Sequence, residues 1–482
     1  MGVPATEEVH VGEGRPGIWD PAHRRTTAGL LTLVTLIAFE AMAVGTAMPT
    51  AVTELDGLAW YAWPFSAFLV TSVVGMVLGG ELGDRRSPRP GVLAGVLVFA
   101  AGLVIAGIAQ HMAVLVIGRA VQGLGAGVVI VLLYVIAGQA YSSRLRPRLF
   151  GAFAAGWVLP ALVGPLAAGL VTTHVGWRGV FLGLVPLVAA GLALLLTGGP
   201  GHVPDHGAAP RRSNAPWALL AGAGIAALQY AGQRLDLVAV GLAVVGAVAL
   251  ASGLRRLLPR GTVRAKPGIP AVVASRGLLA GAFFGMDALL PFVLTEQHGW
   301  SAATAGLPLT AGAVGWVVAA QLQGRHPDVP RQRVLRAGCL VLAGGLAATA
   351  TTAIPALGGW PAYLTWAVAG VGMGLGMPSV GVLLLDQSPE AERGSNSAAL
   401  QISDVTASAL CVGLAGVLVA GAANGDGALW PAVLAAVAVL TVPALLGARV
   451  AGRTVPPGAG TPGGASTLAP VTEPARSREE SA

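Results

Sequence analysis

Fourteen apolar runs, most close to twenty residues long and separated by loops that carry the charge, glycine and proline, fill this chain between residues 28 and 450. A bilayer core about 30 Å thick is crossed by about 20 apolar residues of helix, and backbone groups inside lipid must be satisfied within the segment. The first six runs are 28–50, 60–83, 91–109, 113–139, 149–171 and 178–196. A polar linker, 198–216, leads to two shorter runs, 217–232 and 235–252, and a basic loop, 253–270, follows. The last six are 271–295, 302–323, 334–354, 361–385, 395–422 and 428–450. The pattern predicts an all-α polytopic membrane protein with 14 transmembrane helices: a six-helix bundle over 28–197, an inserted helix pair over 217–252, and a second six-helix bundle over 271–450.

Composition agrees with this. The 482 residues are 54% hydrophobic and 11% charged, with a mean hydropathy of +0.72, whereas soluble domains carry about 25% charged residues. The tail 451–482 is rich in Pro, Gly, Ser and Thr and cannot bury a core, so disorder is expected there. The polar segment 1–27 precedes a run that carries Glu40 instead of a small-residue cleavage site, and the first helix is expected to stay as an anchor.

Loop charge predicts orientation, because cytoplasmic loops collect Arg and Lys. With the N-terminus inside, 25 of the 29 basic residues fall on cytoplasmic segments, leaving Arg178 and Arg234 outside and Arg119 and Arg276 within helices. Both termini are then cytoplasmic, in a plasma or inner membrane. Charge cannot separate fourteen spans from twelve, because removing the central pair leaves the parity unchanged.

Several function classes are disfavoured. The arginines are dispersed one cluster per loop, which does not suit nucleic acid. Cys339 and Cys411 lie in apolar runs and read as small core residues, and the eight histidines are scattered over tails and loops at no ligand spacing. No metal, no cofactor and no enzymatic constellation is expected. A pore would not need buried titratable groups.

Those groups are the informative ones. Glu40, in LIAFEAMAVG, lies near the middle of the first helix, where a charge costs about 2.5–3.5 kcal/mol on insertion scales. Burial favours the neutral form of a carboxylic acid, so such a residue is either a proton carrier or interhelical glue. Asp287 has the same standing in the first helix of the second half, and Asp404 lies nearer the start of its helix. Arg119, inside the fourth run, cannot shed its charge and needs a partner or water, and Gln122 shares its face one turn on.

Four motifs resemble one family. The string Gly80-x-Leu82-Gly83-Asp84-Arg85, with Arg89 after it, is similar to the loop between helices 2 and 3 of the major facilitator superfamily of secondary transporters. It departs from that pattern at Ser87-Pro88-Arg89, which leaves the loop's fine contacts open. Arg119-x-x-Gln122-Gly123-x-Gly125 resembles the helix 4 signature of proton-driven members. Gly156, Pro160, Gly164-Pro165 and Gly169 resemble the antiporter signature of exporters, and GWRGVFLGLVP at 176–186 resembles the sixth helix of fourteen-span drug:proton antiporters.

The resemblance implies a major facilitator fold and proton-coupled export of hydrophobic or cationic drugs by alternating access. A dedicated exporter of one endogenous compound (natural product, lipid or siderophore) is the alternative. Glu40, Arg119, Asp287 and Asp404 would carry proton coupling, and Asp84 would hold the halves together in one state through Arg85, Arg86 and Arg89 or through another helix N-terminus. Trp63, Gln122, Tyr134, Trp157, Phe283, Phe284, Met286, Trp316 and Met373 are candidates for the substrate cavity, since Met and aromatic surfaces adapt to varied apolar ligands. Partners would be the small-molecule substrate, protons and the lipid bilayer, with the chain acting as a monomer. Glycine stands at 324, in LQGRHPDVPRQR, where the first half has Asp84, so this clamp is expected to be asymmetric.

Overall fold

The computed structural model describes residues 17–56, 60, 63–85, 87–197, 213–232, 237–300, 302–423 and 430–455. The expectations for most of the tails 1–27 and 451–482 and of the linker 198–216, and for Arg86 and Arg234, lie outside these residues. Among the described residues the regular structure is wholly helical.

The first set is α1 (Arg24–Glu54), α2 (Trp63–Arg85), α3 (Pro88–Gly107), α4 (Met112–Ala140), α5 (Arg146–His174), α6 (Trp177–Leu182) and α7 (Leu184–Thr197). An inserted pair follows, α8 (Ala215–Ala231) and α9 (Leu237–Leu257). The second set is α10 (Ile269–His298), α11 (Ala302–Arg325), α12 (Arg331–Ala348), α13 (Pro361–Gln387), α14 (Arg393–Ala423) and α15 (Trp430–Ala451). Among the described residues twelve spans are long and apolar enough to cross a membrane, with α6 and α7 counted as one; α5, whose parts Arg146–Ala161 and Leu166–His174 meet at 43°, makes a thirteenth. The fourteenth expected span, α8, has 17 residues and falls short of that length.

Packing repeats between the two sets. In the first, α4 lies between α2 and α3 while α1 packs on α5 and α7; in the second, α13 lies between α11 and α12 while α10 packs on α14 and α15. The halves meet where α2 touches α14 and α5 touches α11. The inserted pair leans on α2 and reaches α14, sharing a core of Val73, Ile130, Ala221, Leu250 and Ile402. Glu81 on α2 tethers its start, accepting hydrogen bonds from Asn214 N (2.7 Å) and Ser213 Oγ (3.1 Å).

The helix ends differ in character. Arginine collects at one end of the bundle, called here the basic end, where α2, α4, α9, α11 and α15 finish and α1, α5, α10, α12 and α14 begin. Exposed tryptophans mark the far end: Trp60 at 46%, Trp63 at 54% and Trp360 at 71%, with Trp300, Trp360 and Tyr363 in mutual ring contact. Such rings favour the headgroup level of a bilayer.

Candidate functional site

Glu40 is fully buried on α1, and Arg119, equally buried on α4, forms an ion pair with it. The same Nη1 donates to Gln122 Oε1 at 3.0 Å, and the guanidinium lies over the Phe68 ring, 4.4 Å from its centroid. Desolvating two charges is expensive, and among the described residues Glu40 Oε2, Arg119 Nε and Gln122 Nε2 meet no partner within hydrogen-bond geometry, although Gln122 lies next to the carboxylate. Removing the charge of either partner of so buried a pair leaves the other uncompensated. At about 1.5 Å per residue, Glu40 lies about 24 Å along α1 from the basic end.

The glycines of the expected antiporter motif face this helix. A Cβ at Gly156 would sit 3.0 Å from Thr35 Oγ1, one at Gly164 3.4 Å from Met42 Cβ, and one at Gly169 3.9 Å from Thr46 Cγ2. These contacts flank Glu40 on both sides, so α5 lies against α1 where the acid is carried. Pro160 is buried in the same helix, and the side chain of Pro165 lies outside the described residues.

The C-terminal half presents its acid differently. Asp287 is partly exposed on α10, one turn beyond Phe283 and Phe284 and beside the Trp366 indole. Phe283 stacks on Trp366 at 4.9 Å and meets Trp316 edge-on at 5.5 Å, while Phe284 contacts both Phe283 and Trp316. Phe284 and Trp316 share the partial exposure of Asp287, with Phe283, Met286, Trp366 and Met373 buried behind them. Among the described residues Trp316 Nε1 has no hydrogen-bond acceptor, and the Trp366 indole is the polar neighbour of Asp287. No ion pair to Asp287 is found among the described residues.

A register relates the two sites. Asp287 lies 247 residues after Glu40, and Trp366 lies 247 residues after Arg119. The same step carries Gly123, Gly125 and Gly127 of α4 onto Gly370, Gly372 and Gly374 of α13, and their surroundings match. Gly123 and Gly127 face α2 at Phe68 and Ser72, and Gly370 and Gly374 face α11 at Gly312 and Trp316. Gly125 faces α3 at Phe99, and Gly372 faces α12 at Leu342. Asp287 beside Trp366 is therefore the counterpart of Glu40 beside Arg119, with an indole in place of the guanidinium.

Asp404 on α14 is paired with Arg276 on α10, at 2.6 Å, about 10 Å along α10 from the basic end. Tyr134 of α4 lies against Arg276 from the other half and also packs on Phe150 and Phe153. Two sequence candidates for separate tasks thus meet in one contact between the halves. Trp63 instead pairs with Trp60 at the far end, and Trp157 lies partly exposed on α5.

Nearer the basic end the halves are clamped. Asp84 accepts from Gly394 N (2.6 Å) and Ser395 N (3.0 Å), the first amides of α14, so the anion that its own helix dipole disfavours is stabilised by another helix N-terminus. Glycine permits the crossing: a Cβ at Gly80 would sit 2.9 Å from both Gly394 O and Ala398 Cβ. Gly83 packs against Gly394, Leu82 is partly exposed, and Arg89 is partly buried at the start of α3. The side chain of Arg85 lies outside the described residues.

A second clasp was missed in the sequence. Buried Arg146, at the start of α5, donates to Asp386 Oδ1 (2.5 Å) at the end of α13 and to Tyr141 O and Gly138 O within its own half. Arg146 reads as one of three topology-setting arginines; the available signal was Asp386, an acid at a helix C-terminus just as Asp84 is. Gln321 Nε2 adds a hydrogen bond to Gly151 O at 3.1 Å.

Comparisons with known proteins agree with this architecture. The family model described as Major Facilitator Superfamily matches residues 30–366 and 277–479. The multidrug transporter protein MdtP of Bacillus subtilis is 26% identical over 76% of this chain and 70% of its own length. Multidrug resistance protein 3 of Bacillus subtilis (31%) and the acurin A biosynthesis cluster MFS-type transporter of Aspergillus aculeatus (32%) each match 35% of this chain and about a third of their own length. Among solved structures, the human organic anion transporter MFSD10 superposes with a TM-score of 0.66 at 14% identity, covering 89% of this chain and 99% of that one. The proton:xylose symporter XylE gives 0.61 at 18% identity, covering 90% and 95%. The matched family model and the repeated helix packing together make this chain a multi-pass membrane transport protein that belongs to the Major Facilitator Superfamily.

Proposed function

We propose that the protein exports hydrophobic or cationic small molecules in exchange for protons, by alternating access, from a cell whose cytoplasm faces the basic end. The observation that carries this reading is the buried Glu40–Arg119 pair with its unsatisfied atoms. A proton arriving from the far end neutralises Glu40, Arg119 loses its partner, and α1 shifts against α4 and the small-residue face of α5. Loss of the proton to the cytoplasm restores the pair and resets the cycle. Asp84 on α14 and Arg146 on Asp386 hold the basic end closed in the conformation described, and both must release for cargo to enter from the cytoplasm.

Export is supported by the antiporter-type glycines that line α1 around Glu40 and by the multidrug relatives. The aromatic wall at Phe284 and Trp316 suits apolar cargo of varied shape. A single endogenous metabolite as cargo is favoured by one observation, the relative named for the acurin A biosynthesis cluster.

The test is efflux from cells preloaded with a panel of cationic and neutral apolar dyes, with and without an uncoupler. Gradient-dependent efflux of several unrelated dyes supports drug export, and efflux that survives the uncoupler would overturn proton coupling. If no dye moves, the single-metabolite reading takes its place.

A further inference from the structure

We infer that the C-terminal half holds a binding site for one apolar organic cation, made by Asp287 and the aromatic wall of Phe284 and Trp316, and that Trp366 keeps this site open by occupying the place of Arg119. The inference rests on the transport reading above and assigns its cargo contact to one half.

The argument begins with the repeat. In the N-terminal half the acid on the first helix is neutralised by an arginine on the fourth, and the pair is sealed from water. The same register in the C-terminal half puts an indole where the arginine stands, and the acid there is partly exposed, with no ion pair to it among the described residues. An indole offers one N–H and no positive charge, so it leaves the demand of a carboxylate for a countercharge unmet. That demand falls to whatever reaches Asp287 from its exposed side.

What surrounds Asp287 selects the countercharge. A small, strongly hydrated metal cation would want several oxygen ligands, and no group of three or more His, Cys, Asp or Glu able to hold a metal is found among the described residues. An organic cation needs one carboxylate and aromatic faces, which attract it through the ring quadrupole. Phe284 and Trp316 are the partly exposed rings, and Phe283, stacked on Trp366, backs them rigidly. Trp316 also keeps a buried Nε1–H without an acceptor, a donor left for a carbonyl or ether oxygen on the cargo. Gly312 lets the Trp366 ring reach its place: a Cβ there would collide with the indole at Cδ1 and Nε1. Glu40 offers none of this, being fully buried and paired with an arginine whose own guanidinium lies over the Phe68 ring.

The two acids therefore divide the work, Glu40 for the proton and Asp287 for the cargo. Equilibrium binding of tetraphenylphosphonium, with the neutral, similarly shaped triphenylphosphine oxide as control, tests this on the purified full chain in detergent without any proton gradient. Asp287→Asn should weaken tetraphenylphosphonium binding about tenfold or more while changing triphenylphosphine oxide binding little. Trp366→Arg should do the same by supplying the missing countercharge, with thermal melting reporting that the variant is folded. Glu40→Gln should bind the cation as tightly as wild type. Wild-type protein that does not bind the cation, or binding lost in Glu40→Gln but kept in Asp287→Asn, would overturn the site. Because the assay involves no transport, export could fail its own test while this site stands, and the reverse.

Discussion

The two halves carry an acid at the same place in the repeat and treat it oppositely. In the N-terminal half Glu40 is closed off with Arg119, Gln122 and Phe68; in the C-terminal half Asp287 is partly exposed beside the Trp366 indole, next to the Phe283, Phe284 and Trp316 rings. One substitution of type, arginine for tryptophan 247 residues on, accounts for the difference. In the function proposed above, the duplicated fold separates a site for the proton from a surface for the cargo. The halves differ again at the basic end, where α2 ends in Asp84 and α11, its counterpart, passes through Gly324.

The largest effect should come from breaking the buried pair unevenly. Arg119→Leu strands a buried carboxylate and should cost about 3–5 kcal/mol in a thermal melt, much of it recovered in the Glu40→Leu/Arg119→Leu double variant. Asp287→Leu strands nothing and should cost a small fraction of that. If the single and double N-terminal variants melt alike, the pair is not the coupled unit described.

The clamp comes next. Asp84→Ala gives up two hydrogen bonds at a helix N-terminus, a loss of about 0.5–2 kcal/mol, so the basic-end-open population should rise by a few-fold to about thirtyfold. Labelling of a cysteine placed at Ser395 would report it. Gly80→Leu should open the same end by blocking the α2–α14 crossing. Asp386→Asn, acting on a carboxylate that is 38% exposed, should shift the same readout by under about 1 kcal/mol.

The smallest effect belongs to the far end of the N-terminal half. Hydrogen bonds from Arg178 and then Trp177 hold the Glu54 carboxyl below the usual carboxylate range. A lowered folded value means the stabilisation is complete above the unfolded value of about 4.3 and fades as pH falls through the folded one. Glu54→Gln should flatten that acid limb of the melting profile by lowering the melt slightly at neutral pH and leaving it nearly unchanged in acid, where the wild type has already lost these bonds.

Helix positions were largely legible, because an apolar run of bilayer length has few other fates: 113–139 became Met112–Ala140, and 361–385 became Pro361–Gln387. The helix 217–232 was legible as apolar, but at 17 residues it leaves the span count open. The break of the sixth span at Gly183 left no periodic signal. For charged residues, sequence carried depth and not direction. Arg276 and Asp404 could each be placed inside a helix, yet that they meet depends on how α10 packs on α14. The loop at Asp84 allowed two partners, local arginines or a foreign helix N-terminus, and only the Gly80–Gly394 crossing decides for the second. Trp63 looked like a cavity ring because an aromatic near an apolar run reads the same whether it faces cargo or headgroups. The exchange of Arg119 for Trp366 was present in the sequence all along, but choosing the 247-residue register needed the glycine contacts of both central helices.

The most direct test of the division between the halves is transport in proteoliposomes, comparing gradient-driven accumulation with gradient-free exchange of the same cation in Glu40→Gln and Asp287→Asn. Glu40→Gln should lose accumulation driven by a proton gradient and retain exchange, because cargo still binds, whereas Asp287→Asn should lose both for a cation. Gradient-driven accumulation at the wild-type rate in Glu40→Gln would contradict the account.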